Sequence, residues 1–231
     1  MKIFFLLHLL FLSALCFGQI QSGPMIGHQT PEETKIWIQT EIPSLLTIRY
    51  SSEGESAEEV IASTQPENWN TITIQLEKLT PNTFYSYTVS SKGNLLFEGT
   101  FSTPSLLDTR NLPNYSFAFG SCTYINEEQY DQVGEVFGRA LSVISSIEKT
   151  QPNFMLWLGD NIYLRKGEWN SKTGVYRRYT NFKSQPELQS FWQNTSHYAI
   201  WDDHDFGPND ADRGFVNKEI TLQAFKDFWA N

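Results

Sequence analysis

The chain has 231 residues, 40% of them hydrophobic, and a net charge of −9. That length and apolar fraction suffice for one large domain or two small ones with real cores, while the acidic balance argues against nucleic-acid binding, which needs clustered Lys and Arg. Cys16 and Cys122 are the only cysteines, so a disulfide framework is excluded.

Residues 1–18 carry Lys2, an almost unbroken apolar run from Ile3 to Leu12, and small residues leading to Gly18. This is the pattern of a secretory signal peptide and predicts an exported protein, periplasmic or extracellular. Lipid anchoring at Cys16 fits poorly, because Leu15 stands where a small residue is wanted. No later stretch is apolar for long enough to form a transmembrane segment. Loss of the signal would leave Cys122 as a lone thiol.

From about 20 to 105 the pattern is all-β. Strands are predicted at 34–40, 45–52, 69–76, 82–90 and 95–102, rich in β-branched and aromatic residues and separated by Pro43, Gly54, Pro66, Pro81 and Gly93. Tyr85, Tyr87 and Val89 alternate so as to share one face. The run Leu79 to Tyr85 is similar to the tyrosine corner of immunoglobulin- and fibronectin-like sandwiches, so residues 20–105 are read as a β-sandwich domain. Its aromatics, Trp37 and Trp69 included, are read as core or strand residues without chemistry.

A polar linker runs from Pro104 to Pro113, and after it the pattern changes to α/β. Apolar strands are expected at 115–120, 153–159 and 197–201, helices at about 130–148 and 217–229, and helical stretches within 165–195. Each strand ends in polar residues with ligating side chains: Gly120-Ser121-Cys122, Gly159-Asp160-Asn161-Ile162-Tyr163, and Asp202-Asp203-His204-Asp205. In open α/β sheets, sites form beyond the carboxyl ends of the strands, so the three turns should converge. Taken singly, Cys122 reads as a buried thiol, Asp160 as a helix N-cap, Tyr163 as a packed aromatic and His204 as an ordinary histidine. Taken together, carboxylates, thiol, phenol and imidazole need cations to offset their charge, which points to a two-metal hydrolytic centre. Gly120 and Gly159 are expected to permit sharp turns out of the strands. His197 reads as a structural residue at a strand edge.

The blocks GSC at 120–122, GDNIY at 159–163 and WDDHD at 201–205, followed by Asn209-Asp210, resemble the PhoD-like branch of the calcineurin-type metallophosphoesterases. SGPMIGHQT at 22–30 is similar to the start of that family's N-terminal module. The resemblance implies a β-sandwich followed by an α/β metallophosphoesterase domain over 113–231. It also implies iron(III) held by Cys122, Asp160 and Tyr163, with Asp160 bridging to a second metal, calcium, on Asp203; other divalent metals remain open. His204 would contact the phosphate, and Asp205 would orient it by accepting its other ring proton. The implied reaction is in-line attack of a metal-bound oxygen on a small phosphoester, monoester or diester. Further ligands of the family would lie beyond position 231, so the catalytic domain is expected to be incomplete and inactive by itself. Two other readings stand beside this one: a noncatalytic exported binding protein that recognises its target through the sandwich, and a structural calcium module built on Asp202, Asp203 and Asp210.

Overall fold

The computed structural model describes residues 19–108, 110, 113–127, 130–131 and 141–231. The signal-peptide segment 1–18 and most of the first half of the helix expected at 130–148 lie outside the described residues.

Seven strands form two antiparallel sheets. They are β1 (Ile20–Gln29), β2 (Thr34–Thr40), β3 (Leu45–Ser52), β4 (Glu58–Ser63), β5 (Thr71–Leu76), β6 (Phe84–Ser91) and β7 (Asn94–Ser102). The sheet orders are β1-β2-β5 and β4-β3-β6-β7. Ile36, Ile38 and Ile74 from one sheet meet Leu46, Ile48, Tyr87 and Val89 from the other in one core, each such side chain contributing about 1.5–3 kcal/mol by leaving water. The Tyr85 hydroxyl accepts a hydrogen bond from the Thr80 backbone N–H at 2.9 Å, the bond that defines a tyrosine corner. The architecture resembles fibronectin-type sandwiches.

Three differences from the sequence reading have local causes. The strand expected from 69 starts at Thr71, because Trp69 and Asn70 adopt left-handed backbone, φ 57° and 56°. β1 was not anticipated: Ser22, Gly23 and Pro24 weaken its alternation, and its pairing with β2 is interrupted by register shifts. β4 was also missed, since it is an edge strand opening on Glu58 and Glu59, the charged kind that discourages edge-to-edge pairing.

The second half holds a parallel sheet of order β10-β9-β8, from β8 (Phe117–Gly120), β9 (Phe154–Leu158) and β10 (Ser196–Ile200). Around it lie α1 (Ser142–Glu148), α2 (Lys172–Lys183), α3 (Pro186–Asn194), the single turn α4 (Asp203–Phe206) and α5 (Lys218–Phe228). Ser171 caps α2 by accepting from Gly174 N–H at 3.1 Å. Its Val175, Tyr176, Tyr179 and Phe182 form one apolar stripe, packed with Met155, Trp157, Phe191, Trp192 and Phe228.

That core reaches back into the sandwich. Ile36 and Ile38 face the sandwich interior, so Trp37 between them faces the other way, and both Trp37 and Met25 belong to the second core. Trp37 Nε1 donates to Asp227 O at 2.7 Å, and His28 N donates to Ala230 O at 2.7 Å.

His197 is fully buried, a structural core group on a strand that lies at the edge of its sheet. Trp157 Nε1 can only donate, and it does so to His197 Nδ1 at 3.0 Å. Nε2 therefore carries the proton and donates to Phe191 O at 2.9 Å. Burial pushes its pKa down to about 3, against the pull of that carbonyl, and both nitrogens are committed. On the opposite face of the parallel sheet Phe119 is 66% and Ile200 57% exposed.

Candidate metal centre

The three strand ends lie side by side. β9 leaves its last residue through Gly159 at φ +94°, where an added Cβ would lie 2.6 Å from Asp202 Cβ. Only glycine meets both demands. Asp160 and Cys122 then each take left-handed backbone, φ 49° and 62°, which costs a non-glycine residue about 1 kcal/mol or more. Gly120 has no such requirement, since a Cβ there would make an ordinary 3.5 Å contact with Met155; the turn after β8 is made by Cys122 itself. Backbone bonds from Cys122 N to Gly159 O (3.3 Å) and Thr123 N to Asp160 O (2.9 Å) join the first two turns.

Asp205 joins the second to the third. Its buried carboxylate accepts from Asn161 N (3.2 Å), Ile162 N (3.2 Å), Asp202 N (3.0 Å) and Asn161 Nδ2 (3.2 Å). Asp202 and Asp205 form a reciprocal capping box on α4. The sequence reading, in which Asp205 orients His204, is therefore corrected: one turn of helix sends the Asp205 carboxylate back to its own N-cap, away from the neighbouring imidazole. Burial lifts its pKa to about 7 against the opposing pull of the backbone amides.

The remaining predicted residues gather around Asp160. Tyr163 donates to Asp160 Oδ2 at 3.0 Å, the Cys122 thiol lies 3.6 Å from the same oxygen, and His204 N lies 3.4 Å from Oδ1. Ligand atoms of Asp160, Asp203 and His204 all fall within 4.8 Å of one another. The Tyr163 and His204 rings pack with centroids 4.3 Å apart. Asp203 Oδ2 accepts from Asp210 N at 2.6 Å. Cys122 is free and exposed, not a buried thiol, and Asp160 caps no helix. Among the described residues no Lys or Arg side chain hydrogen-bonds to Asp160 or Asp203. Burial, then hydrogen bonds with Cys122 and Asp160, hold the Tyr163 phenol above its ordinary pKa. A donor set of two carboxylates, imidazole, thiol and phenol without a protein counter-charge fits a cation.

A clamp that the sequence reading missed holds Tyr163 in place. Arg165 grips Asp131 through Nε and Nη2, both at 2.8 Å, and donates to Tyr163 O at 2.5 Å and Ile125 O at 2.7 Å. Its guanidinium lies 4.1 Å over the Tyr124 ring, Tyr124 donates to Asp131 at 2.7 Å, and the Tyr124 and Tyr163 rings pack at 5.0 Å. Burial raises the Asp131 pKa, but the Arg165, Glu127 and Tyr124 bonds outweigh it and hold the carboxyl below its usual range. Beside the clamp, Arg177 and Arg178 bridge Glu127 and Glu168.

A solved structure of PhoD superposes on 90% of this chain with a TM-score of 0.70 at 18% identity. The fold is PhoD-like. The chain spans 45% of that PhoD structure's length, and at this identity the likeness speaks to fold alone. Weaker matches include the fn3 domain of the human collagen alpha-1(XX) chain, with 18% identity and TM-score 0.30 over 40% of this chain and 91% of that one. Chicken CNTN1 FN1-FN3 domains match with 21% identity and TM-score 0.29 over 35% of this chain and 30% of that one. Residues 18–102 match the family described as a domain of unknown function, DUF7800. No curated protein sequence matches the chain.

Proposed function

We propose that the chain is part of an exported, metal-dependent phosphoesterase whose centre is built at the three strand ends. The observation that carries this reading is the convergence on Asp160: Asp203 and His204 offer ligand atoms within 4.8 Å, and Tyr163 and Cys122 lie against the same carboxylate. The PhoD-like fold and the GSC, GDNIY and WDDHD blocks support it. Cys122, Asp160 and Tyr163 would hold iron(III), and Asp160 with Asp203 a second ion such as calcium. When bound, such ions lower the pKa of water and offset charge on a phosphoester.

The protein's own contribution is placement. Asp160 is presented by a turn that Gly159 alone permits. Its partner Asp203 is set at the first turn of α4 by the capping box, and His204, in contact with the Tyr163 ring, would hold the phosphate and assist the leaving group. Export rests on the signal-like residues 1–18; among the described residues no helix is long and apolar enough to cross a membrane.

The test is titration of the purified chain with iron and with calcium, followed by hydrolysis of chromogenic phosphomono- and diesters in a protein carrying whatever further ligands the longer polypeptide supplies. Asp160→Asn should abolish metal loading and hydrolysis while leaving the thermal melt intact. Full metal loading in that variant would overturn the assignment.

A further inference from the structure

At the opposite end of the parallel sheet, where β8, β9 and β10 begin, a groove of about 490 Å³ runs between the sheet and the end of the sandwich, within the ~300–1,000 Å³ range of ligand clefts. The strands are four or five residues long, which separates the groove from the strand-end site by about 15 Å. Among the described residues none that lines it is charged, in a chain in which 19% are. That excludes an anionic phosphoester as its ligand, because nothing there would offset the charge.

Its walls are aromatic and its rim is amide. Tyr198 is pinned by its hydroxyl, which accepts from Gln29 N at 3.1 Å. Its ring stands edge-on to Phe154, 6.0 Å away, and Phe154 stacks on Phe117 at 5.2 Å. This wall is fixed before any ligand arrives. Phe84 and Tyr115 also line the groove and are 62% and 45% exposed. The side-chain amides of Asn82, Asn114 and Gln193 line it too, and no hydrogen bond ties any of them to another described residue.

We propose that this groove binds a neutral oligosaccharide segment, giving the protein a carbohydrate-anchoring site separate from its strand-end centre. A sugar ring presents a C–H face that packs on an aromatic ring, and hydroxyls that each need a donor and an acceptor. Exposed Phe and Tyr faces supply the first; primary amides, which carry both functions on one group, supply the second. An uncharged lining suits an uncharged polymer. An extended peptide suits it less well, since the lining offers no ionic partner for side chains or termini.

The experiment is affinity electrophoresis of the purified chain in gels containing, separately, a neutral β-glucan, a xylan, a galactomannan, or an acidic pectin, with isothermal titration of oligosaccharides from whichever polymer retards it. Retardation by at least one neutral polymer is expected, insensitive to salt. It should weaken by about tenfold or more in Phe84→Ala and Tyr115→Ala, both exposed enough to leave the melt unchanged. Asp160→Asn should bind sugar as wild type does, so failure of the phosphoesterase reading would leave this one standing. The proposal is overturned by mobility unchanged in all neutral polymers, by retardation in pectin alone, by retention that both aromatic variants preserve, or by a peptide array capturing the chain through Phe84 and Tyr115 while no sugar does.

Discussion

Lys183 is fully buried at the seam between the sandwich and the helices. Its Nζ lies 3.2 Å from the Trp229 ring centre and 4.2 Å from that of Trp192, with Met25 Sδ at 3.1 Å as its polar contact. Among the described residues no carboxylate pairs with it. Cation–π attraction to a ring offsets about 2 kcal/mol when desolvated, whereas removing an ammonium from water costs several kcal/mol even after relaxation. Burial wins and pushes the lysine pKa well below its ordinary 10.5. The folded state then binds fewer protons than the unfolded one. Stability is fully present above pH 10.5 and is lost as pH falls toward the depressed folded value, at about 1.4 kcal/mol per pH unit. His197 adds a similar loss between its ordinary 6.5 and about 3, partly through Lys183 itself, but that window lies below neutral pH. Lys183→Met keeps the stem and removes the titration. Urea unfolding of both proteins from neutral pH to above pH 10 should show the variant more stable at neutrality, with the gap closing at that slope toward high pH. A gap independent of pH would mean the ammonium stays charged inside its ring of indoles, and would refute the argument.

Three further outcomes are expected. Gly159→Ala forces a Cβ to within 2.6 Å of Asp202 Cβ on a +94° backbone; it should cost about 1–3 kcal/mol in thermal unfolding and weaken metal uptake by moving Asp160 from Asp203. Tyr85→Phe removes the bond to Thr80 N and should lower stability by about 1 kcal/mol, read as a shifted urea midpoint with an unchanged m-value. Arg165→Ala leaves the Asp131 carboxylate, 7% exposed, without its cation; a loss of about 3 kcal/mol or more is expected, with metal affinity down by roughly 10–100-fold through Tyr163, measured by titration with iron alone.

Alternation made most of the sandwich legible, because β2, β3, β6 and β7 keep one face in a common core. β1 was hidden by its Ser-Gly-Pro start and β4 by its charge. The strand-end motifs were legible because their residues are adjacent in sequence, but adjacency also misled. Asp205 follows His204 directly, yet the helical turn of α4 turns it to the backbone amides of 161 and 162. The clamp had no sequence signal: Arg165 and Asp131 are 34 positions apart and belong to no motif.

The polar linker of residues 104–113 joins two domains that pack closely against each other. A Cβ on Gly27 would lie 2.4 Å from Ala230, so β1 and the segment after α5 approach as closely as backbones can. Asn231 then brackets Ala199, accepting from its N–H at 2.9 Å and donating to its carbonyl at 2.7 Å. The outer edge of β10 is thereby tied through the 229–231 segment to β1. Tyr176 anchors the same region by donating to Asp227 at 2.5 Å, next to the carbonyl that Trp37 holds. Because β10 leads directly into Asp202 and Asp203, the height at which those carboxylates meet Asp160 is fixed in part from the sandwich side. Met25 and Trp37, buried in the second core, would be left against water if the halves were separated. The sandwich thus acts as one wall of the scaffold that positions the strand ends.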